Sequence, residues 1–212
     1  MPYIKNLLEK EPDGSWKGPL LNIFHKIEQQ TGSKLIFSVL PFPRAVALTR
    51  DGKVDLGVFL ESKKRNSYAI PITPISTSYF VIASLPKQEI KSAKDLANKK
   101  VGVSSKGVSS EIIARHPHGP VLKFKSHRDL MTALLAGKVD AILTPDFRFV
   151  EMVENRNLSF SQFAKPIKLS PQKLMLYASH RFALNTKDLV VFSQLTKLRL
   201  KGFGSDYLFA QY

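Results

Sequence analysis

The chain has 212 residues, 43% of them hydrophobic, and no cysteine, so a packed core is within reach while disulfides, thiolate nucleophiles and cysteine-ligated zinc are excluded. Thirty-two Lys and Arg against 17 Asp and Glu give a formal charge of +15, which favours anionic partners in general. The basic residues come in short scattered groups (Lys63-Lys64-Arg65, Lys99-Lys100, Lys123 with Lys125), not in the long block or aromatic-interleaved stripe of a nucleic-acid-binding chain, and no nucleic-acid partner is expected.

No apolar run approaches the roughly 18–20 residues of a membrane span. The opening Met1-Pro2-Tyr3-Ile4 has no basic segment leading into an apolar one, so no signal peptide is read there. Residues 19–30 read as a helix with Leu20, Leu21, Ile23, Phe24 and Ile27 on one side, ended by Gly32; glycine supplies the left-handed conformation that closes a helix. Residues 34–40 are apolar and β-branched enough for a strand. Pro43, suited to a helix's first turn, opens a helix that runs to Gly52-Lys53-Val54-Asp55, and a strand follows at Leu56-Gly57-Val58-Phe59. Residues 71–78 carry two prolines and four hydroxyl side chains and read as a crossover.

A similar unit then begins, with strands at 100–104 and 121–125 and helices at 109–115 and 127–136. It ends in the same four residues, Gly137-Lys138-Val139-Asp140, before the strand Ala141-Ile142-Leu143. Each Gly-Lys-Val-Asp stands where a helix stops and a strand starts. Residues 174–179 form a last short strand, with helices over 187–200 and 206–212.

Alternating strands and helices argue for α/β units with parallel strands. Two such units imply two lobes: residues 1–75 completed by 176–212, and 80–172, joined by a two-strand hinge near 75–80 and 173–177. A hinge between two α/β lobes suits the trapping of a ligand.

Four stretches resemble the family 3 extracellular solute-binding proteins, the amino-acid receptors of bacterial ABC importers. They are Asp13-Gly14-Ser15-Trp16-Lys17-Gly18; Phe42-Pro43-Arg44-Ala45 with Gly-Lys-Val-Asp, Arg65 and Tyr68-Ala69-Ile70-Pro71; Asp95 to Val103; and Leu200 to Tyr207 with Tyr212. The resemblance implies a type II periplasmic-binding fold whose cleft closes on a small amino acid or related carboxylate, in a periplasmic monomer that hands its ligand to a membrane permease. In that family the first lobe opens with a central strand. Tyr3 falls in the loop after it, which implies a first lobe lacking its N-terminal strand.

The ligand contacts follow from the same resemblance. Arg65 matches the carboxylate-binding arginine, and a guanidinium grips a carboxylate through two parallel charge-assisted hydrogen bonds. Ser62 adds a hydroxyl, Phe42 packs on the ligand side chain, and Arg44 and Tyr3 are further candidates. Ser105, Gly107 and Val108 match a second-lobe loop whose amides face an anion. Asp146, with Glu61 in reserve, is the candidate partner for a ligand ammonium.

No residues suggest catalysis. His116-Pro117-His118 lacks the acidic third ligand of a metal site, no cofactor motif is found, and neither a Ser-His-Asp arrangement nor paired carboxylates occur. A ligand-sensing module or a small-acid dehydratase on the same scaffold are the alternatives to a binding protein.

Overall fold

The computed structural model describes residues 7–32, 34–182 and 208–212. In chain order its elements are β1 (Glu9–Lys10), β2 (Trp16–Lys17), α1 (Pro19–Thr31), α2 (Phe42–Arg50), β3 (Leu56–Leu60), α3 (Lys63–Asn66) and β4 (Ala69–Ser84). Then come β5 (Val101–Ser104), α4 (Ser109–Ile113), β6 (Val121–Phe124), α5 (His127–Leu135), β7 (Ala141–Pro145), α6 (Asp146–Glu154) and β8 (Ile167–Ser179).

The two Gly-Lys-Val-Asp segments do the same job with the same bonds. Gly52 and Gly137 take φ of 66° and 69°, the left-handed region where a Cβ would clash with the backbone. One residue on, the Lys53 amide donates to the Leu48 carbonyl and the Lys138 amide to the Ala133 carbonyl, each reaching five residues back. This 6→1 bond closes the helix and turns the chain. A strand starts four residues after each glycine, at Leu56 and at Ala141.

The chain packs as two units. The first takes residues up to Thr77 and those from Gln172; the second takes Ser78–Pro171 and the described end of the chain. In the first unit, α1 buries Leu20, Leu21, Ile23, Phe24 and Ile27, the stripe that its 3.6-residue period predicts. Strand β3 pairs antiparallel with β8, from Leu56 opposite Ala178 to Leu60 opposite Leu174. Over this pair sits a cluster of Ala45, Phe59, Ala69, Met175 and Tyr177, with Phe42, Val46 and Tyr68 packed against it.

In the second unit β5 pairs parallel with both β6 and β7, and β7 pairs antiparallel with the Phe80–Ser84 end of β4. A strand with ladders on both sides is buried on both faces and reads as a continuous apolar run, and β5 is buried throughout. Leu130, Leu134, Ile142, Phe149 and Val153 belong to the core around it.

Two expectations are corrected and one is extended. Residues 34–40 form no ladder; only Leu40 makes an isolated bridge. Exposure alternates along the segment, with Leu35, Phe37 and Val39 half-buried and Ile36 92% exposed. That is a strand's side-chain pattern without a neighbouring strand among the described residues to complete it. Residues 71–78, read as a crossover, carry the chain from the first unit to the second between Thr77 and Ser78, and they do so inside the 16-residue strand β4. Residues 208–212, expected with the first lobe, pack with the second unit. Leu208 is fully buried in its core with Phe209 beside it, and the Lys168 ammonium lies 4.5 Å from the Phe209 ring and 4.9 Å from that of Tyr79. The helix expected over 187–200 lies outside the described residues.

Candidate ligand-binding site

In the first unit the sequence places an arginine where a strand has just ended. Strand β3 delivers the chain to Ser62, which is extended (φ −158°, ψ 130°), and α3 turns Arg65 back toward the strand. The Arg65 and Asn66 amides donate to the Ser62 carbonyl. The Ser62 hydroxyl makes no capping bond, although serine at this position ordinarily does so. It is therefore not committed to closing the helix.

Arg65 is only 8% exposed. Its guanidinium carbon lies 4.7 Å from the centre of the Phe59 ring and 5.6 Å from that of Tyr177. One of its terminal nitrogens donates to the Leu60 carbonyl, while its Nε is buried with no partner. Among the described residues no carboxylate pairs with it. Burying an unpaired cation costs several kcal/mol, and cation–π contacts return only about 0.5–2 kcal/mol each. The deficit is of the size that an anion seated on the guanidinium offsets.

The neighbourhood is built for that cation. Phe42 stands edge-on to Phe59 at 6.1 Å, and Phe59 is 6.2 Å from Tyr177. The Tyr177 hydroxyl donates to Asn66 Oδ1 at 3.2 Å. Burial raises its pKa, against the opposing pull of the Ser62 backbone and the Arg65 guanidinium, so the phenol remains a neutral donor at neutral pH. The structure thus brings Arg65, Ser62 and Phe42 together. Arg44 is exposed on α2, two residues beyond Phe42, and Tyr3 lies outside the described residues. Glu61 is half-buried and its amide donates to the Lys173 carbonyl.

Phe59 and Tyr177 are the residues that sequence reasoning missed. Both lie in short apolar strands and read as ordinary core. The available signal was chemical: a tyrosine inside such a strand needs a partner for its hydroxyl.

In the second unit Ser105 and Gly107 are exposed and Val108 is half-buried. Gly107 has φ of 88°, and the loop leads into α4. The Ser105 amide is already spent on the Phe124 carbonyl at 2.8 Å, and the Lys106 amide on Ser104 Oγ at 3.2 Å.

Asp146, the candidate partner for a ligand ammonium, also has a structural role. It is fully buried, at the start of α6, where its carboxylate accepts from Ser78 Oγ at 2.7 Å, the Tyr79 amide at 2.8 Å and the Phe147 amide at 2.7 Å. Those bonds staple α6 to β4. An aspartate opening a helix is favoured by the helix dipole and the free first-turn amides, and Asp146 fills that local role.

The family model described as NMT1/THI5 like matches residues 43–197 of this sequence. The chain belongs to the NMT1/THI5-like family. That match covers α2 from Pro43 onward, Arg65 and the described second unit up to β8.

The fold is also that of several solved structures. The substrate-binding protein of an amino acid ABC transporter superposes with a TM-score of 0.67, at 16% identity over 92% of this chain and 88% of that one. The GluR0 ligand-binding core in complex with L-glutamate gives 0.72, at 14% identity over 93% and 90%. A histidine kinase sensor domain similar to periplasmic binding proteins gives 0.70, at 16% identity over 92% and 85%. No curated protein matches the chain by sequence. The fold is thus type II periplasmic-binding-protein-like, as the resemblance in the sequence implied.

Proposed function

We propose that this protein binds a small carboxylate-bearing solute, an amino acid or a related acid, through Arg65, and catalyses no reaction on it. The observation that carries the reading is the buried guanidinium of Arg65 between Phe59 and Tyr177 with no acidic partner among the described residues. Ser62 supplies a hydroxyl beside it, and Phe42 extends the aromatic wall toward the ligand's side chain. The role assigned to the protein is that of a periplasmic receptor serving an ABC-type permease, in keeping with the amino acid transporter component that shares its fold.

A second reading, a ligand-sensing module, is favoured by the likeness to a histidine kinase sensor domain. The two readings share the ligand chemistry and differ in the partner protein.

The test is a thermal-shift screen of protein stripped of carried-over ligand, against amino acids, simple carboxylates and the matching amines without a carboxylate. A ligand at about 100 times its Kd stabilises the native state by about 2.7 kcal/mol. The proposal expects carboxylate-bearing compounds alone to raise the melting temperature. A response to the amines, or none to any carboxylate, overturns it.

A further inference from the structure

The second unit holds a cavity of about 790 Å³ whose lining comes from α5, α6 and the residues just after α6. Its size falls in the range of small-molecule sites, about 300–1,000 Å³. Met152 and Leu158 give its lining an apolar part, and Arg128 and Arg156 supply two cations.

Arg156 is held in place. Its Nη2 donates to the Arg128 carbonyl at 2.7 Å and to Thr132 Oγ1 at 2.5 Å, which fixes the guanidinium beside the backbone of a second arginine. Arg128 itself is exposed and lines the same cavity. Among the described residues no carboxylate pairs with either one. The one acidic residue in the lining, Glu151, is already bonded to Arg148.

Arginine's planar fork suits carboxylate and phosphate oxygens, and Arg128 and Arg156 both line this cavity. Asn155 adds an amide to the lining. His127 adds an imidazole that is neutral at pH 7, since burial, with Arg148 and Lys106 nearby, lowers its pKa to about 4. It can therefore accept as well as donate.

We propose that this cavity is a second binding site, for a small organic anion carrying at least two negative charges, gripped by Arg128 and Arg156 with its carbon body against Met152 and Leu158. The anionic groups are carboxylates or phosphates, which the two arginines recognise in the same way. This site lies wholly in the second unit and is independent of the reading of Arg65.

The test is calorimetric titration of the full chain with citrate and, separately, with inorganic pyrophosphate, at constant ionic strength. It compares wild type with Arg128→Gln, Arg156→Gln and the charge-matched control Lys123→Gln, at an exposed residue outside the cavity. Saturable one-site binding by either anion is expected. Each arginine variant should weaken it by at least about tenfold, the scale of one lost charge-assisted hydrogen bond, while the control stays within about twofold of wild type. Citrate binding without pyrophosphate binding assigns a carboxylate ligand, and the reverse a phosphate. Should Arg156→Gln fail to fold, Arg128→Gln decides alone, because Arg128 is exposed and its side chain makes no bond that holds the fold among the described residues. Equal weakening in the control, undiminished binding in Arg128→Gln, or no saturable binding by either anion overturns the proposal.

Discussion

Replacing Asp146 by asparagine separates a structural staple from a ligand contact. In the native arrangement one carboxylate oxygen accepts from Ser78 Oγ and the Phe147 amide, and the other accepts from the Tyr79 amide. Asparagine keeps the shape but turns one oxygen into a donor. With its oxygen toward Ser78 and Phe147, its NH2 faces the Tyr79 N–H. Flipped, it faces the Phe147 N–H, and only the Ser78 hydroxyl can rotate to accept.

Either way one backbone donor in a buried setting loses its acceptor, at about 1–3 kcal/mol, and the surviving bonds lose their charge assistance at about 0.5–1 kcal/mol each. The sum is about 3 kcal/mol, or a fall in Tm of about 6–12 °C for a chain of this size. Urea unfolding followed by circular dichroism measures it on the ligand-free protein. Were Asp146 instead an uncompensated carboxylate awaiting a ligand amine, its neutralisation would leave the free protein as stable or more so. A loss below about 1 kcal/mol would therefore refute the argument.

Three further outcomes are expected. The His127 imidazole is held neutral, with its pKa lowered to about 4 from 6.5, so the unfolded chain binds the extra proton between those values. Its contribution to stability is complete above about pH 6.5 and is lost as the pH falls toward about 4, by up to about 3 kcal/mol. Denaturant titrations from pH 7 to pH 4 should show that slope in wild type and a flatter one in His127→Asn. Gly137→Ala should cost about 1 kcal/mol in urea unfolding, through its positive φ alone, since no atom lies within 4 Å of the added methyl. Phe209→Ala should lower the Tm, because it strips a ring from the Lys168 ammonium and from the core around Leu208; an unchanged Tm would place the end of the chain elsewhere.

The fold was legible where local chemistry and tertiary context agree. The repeated Gly-Lys-Val-Asp marks two helix ends because glycine alone adopts that turn without cost, and the apolar runs after it mark the strands. Residues 34–40 misled because a strand's side-chain alternation is local whereas a ladder needs a neighbour. The length of β4 was hidden by Pro71 and Pro74, which signal a loop unless the missing amides are not needed.

The candidate site was legible in part. Arg65, Ser62 and Phe42 could be named because the resemblance to the solute-binding family points to them, and for Arg65 the fit of a guanidinium to a carboxylate points the same way. The aromatic wall of Phe59 and Tyr177 could not, since β3 and β8 lie more than 100 residues apart and their pairing is written only in the folded sheet. The structural role of Asp146 was not legible, because a sequence shows a carboxylate and not the donors around it.

The central claim is that Arg65 holds the ligand's carboxylate. The measurement that tests it most directly is calorimetric titration of the strongest carboxylate from the thermal-shift screen into wild type and Arg65→Lys. Lysine keeps the charge and loses the planar fork and the aromatic stacking. A fall in affinity of at least about 30-fold, with the unfolding midpoint of the free variant within a few degrees of wild type, is the predicted result. Equal affinity in the two proteins would contradict the account.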